Sequence, residues 1–495
     1  MEANIVENIC SKVVTKVNRP VKFLQFGEGN FLRGFVDWFI DTMNKKTSFN
    51  AGVVVVQPMP FGRCDKIKEA DCLYTLILQG KNNGNVVKTY QVIDCIEDAI
   101  NPYTQYEEYL NYAKLDSLEF IVSNTTEAGI VFEPKDTDFT KCPFSFPAKL
   151  LVFLETRYNY YNGDFTKGLE IIPCELIDNN GDTLKETLIR LANHMNKDNS
   201  FIDWLSNANR YYNTLVDRIV PGYPAKDAQR IWNELGYVDN NIVVGEYFHL
   251  WCIDGKYINK LEEKLPVKEA GLNVLFVDSI KPYKERKVKV LNGAHTCMVP
   301  IAYLSGINSV KDAVEDEFIR RFVKEFMLEE VIPTIDISQY EMISYCNSVF
   351  ERYENPFVEH LLMSIALNSM TKYKTRVLPT VLENLKNNKL PKRALFALAS
   401  LIVFYRGKRD DEIIELSDDK WILDMYNDIW STYDGTYQGI LLIISKVLGL
   451  EIHWGVNLLE YNNVVKFVCD AVYEIMTTSI KNALIRLVLG EKSNE

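Results

Sequence analysis

The segment from Lys281 to Thr296 concentrates the residues best suited to chemistry: Lys287, Asn292 and His295. An ammonium can hand over a proton, while an amide and an imidazole can donate hydrogen bonds to a developing negative charge. Pro282 suits the first turn of a helix, so the segment is predicted to be helical. At roughly 100° per residue, Lys287, His295 and Asn292 fall near 0°, 80° and 140°, an arc compatible with one face. Converging on one point, the three would bind and protonate a carbonyl oxygen. The same spacing equally describes a basic, exposed helix in which Asn292 and His295 merely satisfy the core, and spacing alone favours that plainer reading.

Two other segments could bind a phosphate-bearing ligand. Gln25 and Phe26 lead into Gly27, Glu28, Gly29, Asn30, Phe31, Leu32, Arg33 and Gly34. A glycine pair after a strand lets the chain turn tightly and lets a pyrophosphate approach the backbone at a helix start. The usual third glycine is replaced by Leu32, and a plain strand-to-helix turn remains open. Arg33 could face a phosphate, or be an ordinary helix arginine. Ser123, Asn124, Thr125, Thr126, Glu127, Ala128 and Gly129 follow another apolar run, which would set their polar groups at a crevice edge or in a capped turn. Dinucleotide folds often carry a carboxylate after the second strand. Here that strand ends in Gln57, Pro58 and Met59, so spacing does not choose between NAD and NADP.

His194, His249, His295, His360 and His453 lie far apart, with no H-x-x-x-H or H-E-x-x-H, so no metal site is expected. Neither G-x-S-x-G nor a P-loop occurs.

The elements that must position these groups fall into two patterns. Val21 to Phe26, Val53 to Gln57, Leu118 to Ser123 and Leu169 to Cys174 are apolar runs alternating with helical stretches such as Phe31 to Met43. Such alternation predicts a mostly parallel sheet covered on both faces, with ligands at the carboxyl ends of its strands. Leu73 to Gln79 and Val86 to Val92 read as a hairpin with a longer turn through Gly80 to Asn85, and Asn273 to Asp278 as a last strand. Beyond about residue 280, the segments 310–328, 356–371, 393–404, 438–448 and 464–489 read as long helices. The fold class is therefore α/β, a Rossmann-type N-terminal domain over 1–279 followed by a mostly α-helical domain over 280–495. The polar stretch Arg406 to Asp419 reads as an exposed connection.

Composition agrees with a soluble globular chain. At 495 residues, with about 150 residues per domain, three domains or two large ones are expected. Lys plus Arg number 55 against 67 Asp plus Glu, a net charge of -12 that argues against nucleic acid as a partner. An anionic substrate would need a local cluster of cations. The apolar run Ala394 to Tyr405 is too short to span a bilayer and reads as a buried helix. With Glu2 and Glu7 near the start and no apolar signal core, export is not expected, and the 10 dispersed cysteines read as reduced thiols of a cytoplasmic protein. The oligomeric state stays open.

Taken with these motifs, the chain resembles the metal-independent, polyol-specific long-chain dehydrogenases of the mannitol dehydrogenase type, nearly end to end. The most specific segments are 25–35, 123–130, 173–181, 215–224, 281–296 and 355–379. The resemblance implies an NAD-dependent oxidoreductase acting on the CH–OH group of a small-molecule sugar acid, in its hexuronate-reducing branch. Phe26, Gly27, Gly29, Asn30, Phe31, Arg33, Gln57, Ser123, Asn124, Thr125 and Glu127 would border the cofactor. Lys287, Asn292 and His295 match the family's lysine, asparagine and histidine signature, which overturns the plain-helix reading. Asp217 and Arg218 match a pair near the substrate cleft, and Lys372 matches a substrate-contacting lysine. Arg376, four residues on, would share its helical face and complete a carboxylate clamp. One departure stands out: mannitol-type members carry Asn where this chain has Leu176.

In the mechanism this implies, Lys287 is the general acid and base. Its ammonium is expected to be made more acidic by desolvation and by Lys284, Arg286 and Lys289. A fructuronate reductase or a mannitol-type polyol dehydrogenase is the nearest alternative, and a non-catalytic nucleotide sensor a remote one.

Overall fold

The structure, a computed structural model, describes residues 7–126 and 128–490. Among these, two compact units separate: residues 7–80 with 87–280, and residues 81–86 with 281–490.

The first unit is built on a parallel sheet. Its strands are β1 (Val21–Phe26), β2 (Gly52–Val56), β5 (Ile96–Ile100), β6 (Phe120–Ser123), β7 (Glu170–Pro173) and β8 (Arg210–Tyr211), laid side by side as β5-β2-β1-β6-β7-β8. Every pairing is parallel. Counting only these strands, the order is 3-2-1-4-5-6, the doubly wound dinucleotide-binding arrangement. The order reverses between β1 and β6, which is where such sheets open a crevice at their carboxyl ends.

The apolar runs are continuous because both faces are buried. Phe23, Val53, Val55, Val122 and Ile172 pack with Phe35, Phe39 and Met43 on one side. Leu24, Phe26, Val54, Val56, Ile121 and Ile171 pack with Leu150, Phe153 and Leu154 on the other. Period-two side chains thus feed two separate cores from the same strands.

The hairpin pairs β3 (Tyr74–Asn82) with β4 (Asn85–Ile93), so its turn is tighter than the sequence suggested. Asn83 and Gly84 both take positive φ, 50° and 78°, the conformation that matches a short connection to the twist of its strands. Three shorter strands, β9 (Asn213–Asp217), β11 (Leu250–Asp254) and β12 (Val274–Phe276), form a separate sheet in the order β12-β11-β9, and β10 (Val243–Glu246) joins the hairpin in the order β10-β3-β4.

Beyond residue 280, the regular structure among the described residues is helical apart from a small hairpin, Lys408–Arg409 against Glu412–Ile413, inside the expected connection. Lys392–Phe404 is the buried helix foreseen around Ala394. The other long segments are more broken than their apolar content suggested. Residues 310–328 divide into Val310–Glu315 and Glu317–Glu325, followed by a π-helical turn from Phe326 to Val331. The break falls at Asp316, whose carboxylate caps the second helix through the amides of Phe318 and Ile319. Residues 356–371 hold only Leu362–Ile365 and the start of Ser369–Arg376, and 464–489 split at Ser479. No helix among the described residues is long and apolar enough to cross a membrane.

Candidate active site

In the first unit, the glycine loop and the Ser123 loop meet at the β1–β6 reversal. The amide of Asn124 donates to the carbonyl of Phe26 at 3.1 Å, and that of Gly27 to the carbonyl of Val56 at 3.0 Å. Gly27 has φ +122°, and a Cβ there would stand 3.0 Å from the Asn124 carbonyl oxygen, so both conformation and space demand glycine. Gly29 is exposed, with no atom within 4 Å of where its Cβ would lie. The backbone is therefore open to close approach at the point where a pyrophosphate would sit, immediately before the helical turn Asn30–Gly34. Phe31 stacks on Phe35 at 5.0 Å and anchors that turn to the core.

Arg33 does not face outward to a phosphate. It is fully buried, donating from Nε to the Glu28 carbonyl at 3.1 Å, from Nη1 to the Asn241 carbonyl at 2.6 Å and from Nη2 to Asn30 Oδ1 at 2.8 Å. Its guanidinium fixes the inside of the loop while lying over the Tyr74 ring. Gln57 is likewise committed: Nε2 donates to the Met59 carbonyl and Oε1 accepts from the Cys64 amide, which closes the loop after β2.

The Ser123 loop is organised by a residue the sequence reading overlooked. Glu175 accepts from Ser123 Oγ at 3.0 Å, from the Thr125 amide at 3.0 Å and from Thr125 Oγ1 at 3.1 Å, while Asn124 Nδ2 donates to the Cys174 carbonyl. Burial pushes the Glu175 carboxyl upward, and these donors oppose that shift. Its only sequence signal is a carboxylate directly after an apolar strand. Glu127 lies outside the described residues.

Asp217 ends β9 in the first unit and Arg218 follows it, both buried. Arg218 donates to the carbonyls of Gly34, Phe248 and Tyr247 and lies 4.0 Å over the Trp38 ring, so its donors brace backbone and are not held out for a substrate. Leu176, the departure noted above, is exposed.

In the second unit, Lys287, Asn292 and His295 do not share a regular α-helix. Lys281–Arg286 is α-helical, Lys287–Asn292 is π-helical, and α-helix resumes at Gly293–Leu304. Gly293 donates its amide to the Val288 carbonyl, five residues back. A turn closed by such bonds sets residues five apart one above the other, so Lys287 opens the turn and Asn292 closes it nearly overhead. Each change of ladder leaves carbonyls needing donors, and side chains supply them. Tyr353 Oη donates to the Leu291 carbonyl at 2.6 Å, and Thr296 Oγ1 to that of Asn292 at 2.9 Å.

His295 stacks on Tyr353, centroids 4.3 Å apart and planes 29° apart, and meets the His360 ring edge-on at 5.2 Å. Among the described residues its Nε2 is buried without a hydrogen-bond partner. Burial, then His360, Arg352, Arg376 and Lys372, hold the imidazole well below its ordinary value, so it is neutral. Lys372 and Arg376 are thus among the charges that act on His295. Both belong to the helix Ser369–Arg376, and each is less basic than usual, first through burial and, for Lys372, then through Arg376. Lys372 Nζ donates to the Ile365 carbonyl at 2.7 Å. The neighbouring cations are engaged elsewhere: Arg286 with Glu341 at 3.0 Å, Lys289 with Glu285 at 3.7 Å. Tyr353, His360 and Arg352 were not picked out from the sequence, because the periodicity of their helix and loop marks them as ordinary packing and surface positions.

Comparison with known proteins agrees with both units. Residues 21–267 match the mannitol dehydrogenase Rossmann domain, and residues 279–476 the mannitol dehydrogenase C-terminal domain. An altronate oxidoreductase of Yersinia enterocolitica is 41% identical over 469 residues, covering 94% of this chain and 97% of the relative. One from Escherichia coli is 42% identical over 467 residues, covering 94% and 96%. In three dimensions, a D-sorbitol dehydrogenase in substrate-free form superposes with a TM-score of 0.77 at 19% identity, covering 96% of this chain and 100% of the other. Pseudomonas fluorescens mannitol 2-dehydrogenase, in a ternary complex with NAD and D-mannitol, gives 0.63 at 18% identity, covering 96% and 95%. The chain is a member of the mannitol dehydrogenase family of oxidoreductases.

Proposed function

We propose that this protein catalyses the reversible, NADH-dependent reduction of D-tagaturonate to D-altronate, a step of hexuronate breakdown. The observation that carries the reading is the buried, unpartnered Nε2 of a neutral His295 set among Arg352, Lys372 and Arg376. A buried ring nitrogen with no partner among the described residues wants a ligand group to pair with, and such a concentration of positive charge in a chain of net charge -12 wants an anionic ligand. The altronate oxidoreductases at 41% and 42% identity point to the same substrate.

In this reading residues 1–279 hold the dinucleotide and residues 280–495 hold the sugar acid. Gly27, Gly29 and the Ser123–Thr125 loop receive the pyrophosphate and its neighbours at the β1–β6 reversal. When bound, the reduced nicotinamide supplies the hydride. The substrate ketone oxygen accepts hydrogen bonds from the Asn292 side-chain amide and from His295, which stabilise the charge that builds on it. Lys287 gives that oxygen its proton, and in the oxidative direction takes one from the hydroxyl. Lys372 and Arg376 hold the carboxylate, which fixes the substrate end to end.

Absorbance loss of NADH in the presence of tagaturonate, fructuronate and fructose, each alone, tests the assignment. Turnover is expected on tagaturonate well above the other two. A preference for fructuronate or for the neutral ketose would reassign the substrate, and NADH binding with no turnover on any would leave a nucleotide sensor.

A further inference from the structure

The loop after β2 lacks the carboxylate that dinucleotide folds commonly place there to accept hydrogen bonds from the adenosine ribose. The structure returns one from a different strand. β1 and β2 end side by side, Phe26 in register with Val56. Glu28 lies just beyond the first end and Gln57 just beyond the second. A Cβ added at Gly62, in the loop that follows β2, would collide with Glu28 Oε1 and with the Gln57 amide, so these groups crowd one spot. Burial, the largest effect, raises the Glu28 carboxyl, opposed by its own and the Arg63 backbone amide and by the charges of Arg33 and Arg63. A carboxylate has about four acceptor positions, so this one has room for donors from a ligand.

From this juxtaposition we infer that Glu28 is the group that reads the adenosine ribose. Its carboxylate accepts from the ribose 2′- and 3′-hydroxyls and repels a 2′-phosphate, so it selects NAD(H) over NADP(H). Arg63 is the cation of the same loop. Its guanidinium donates to the Asn240 carbonyl at 3.1 Å and Asn241 Oδ1 at 3.4 Å. Gln57 cannot substitute, because both ends of its amide close the loop. The bare Gly62 is what leaves the carboxylate its place.

The inference rests on the dinucleotide reading above, and the test separates the two. NADH and NADPH are titrated by protein and nicotinamide fluorescence into the wild-type chain, Glu28→Gln and Gly62→Ala, with thermal unfolding of each followed in parallel. Wild type is expected to bind NADH at least about 100-fold more tightly than NADPH. Glu28→Gln should weaken NADH about 10-fold while strengthening NADPH, since loss of a charge-assisted bond and of a repulsion act in opposite directions. Gly62→Ala, which displaces the carboxylate without removing it, should shrink the ratio in the same sense. If both dinucleotides weaken in parallel and the ratio holds, Glu28 merely supports the loop and the inference fails. A wild type preferring NADPH also overturns it, whereas a wild type binding neither overturns the cofactor reading itself.

Discussion

Gly293 lies against the end of another helix: a Cβ placed on it would stand 3.2 Å from the backbone carbonyl oxygen of Arg376 and 3.5 Å from that of Val288. The glycine that restarts the α-helix after the π turn therefore also lets the helix carrying Lys372 and Arg376 approach. Its φ of -64° is ordinary helix, so what opposes alanine is the tight space and not backbone conformation. Alanine would gain about 0.8–1.0 kcal/mol of helix propensity. Crowding a packed contact costs about 1–3 kcal/mol, so crowding wins. Gly293→Ala is expected to raise KM for the sugar acid several-fold, with a small drop in the unfolding midpoint. Unchanged KM would mean that the approach of the two helices does not set the position of Arg376.

Lys287→Ala should lower kcat by about 10²–10⁴-fold, the usual contribution of a placed general acid, while the dissociation constant for NADH stays at its wild-type value. Steady-state kinetics with a parallel NADH titration separates these. Comparable loss of both would recast Lys287 as a residue that holds the fold.

Lys372→Ala and Arg376→Ala each remove one proposed partner of the substrate carboxylate. A hydrogen bond to a charged group contributes about 1.5–3 kcal/mol, so KM for tagaturonate should rise about 10- to 100-fold in each variant. Any residual rate on a neutral ketose should be unaffected. If Arg376→Ala leaves KM for the acid where it was, the carboxylate is held by other groups.

The buried imidazoles make acid costly. His249, through burial and Arg218, is held down to about 3, and His295 lies well below its usual value. Unfolded histidine takes up its proton near 6.5. Between there and the folded value the unfolded chain binds more protons, so stability falls as pH drops below about 6.5, by at most about 1.4 kcal/mol per pH unit for each ring. Urea unfolding of the wild type, His249→Gln and His295→Asn between pH 7.5 and 5.5 should show a shallower acid loss in each variant. Identical slopes would mean that the folded protein already carries these rings protonated.

The doubly wound sheet was legible because runs such as Val53 to Val56 have no polar face, and only a strand buried on both sides tolerates that. The glycine loop was legible for a similar reason, since few turns need Gly27 and Gly29 together. The direction in which Arg33 and Arg218 point was not. A cation in a motif looks ready for an anion, and only the fold reveals that backbone carbonyls of Asn241, Gly34 and Phe248 claim it. Asn83 and Gly84 carried a readable turn signal that was assigned to a longer loop. The π turn was beyond reach, because apolar periodicity at about 100° per residue has no symbol for a wider coil. Periodicity placed Lys287 and Asn292 on an arc that one face can span, and the resemblance is what chose that reading over a plain basic helix.

That wider coil has a consequence for how the segment tolerates change in length. A π turn holds one residue more than the regular helix needs to cover the same stretch. Deleting any single position between Lys287 and Asn292 would let the ladder close as plain α-helix over the same stretch, leaving the helices on either side turned as they are now. The orientation of the flanking helices thus survives a one-residue loss inside the turn, whereas the same loss from the regular helix just after it would swing His295 by about 100° against the amine.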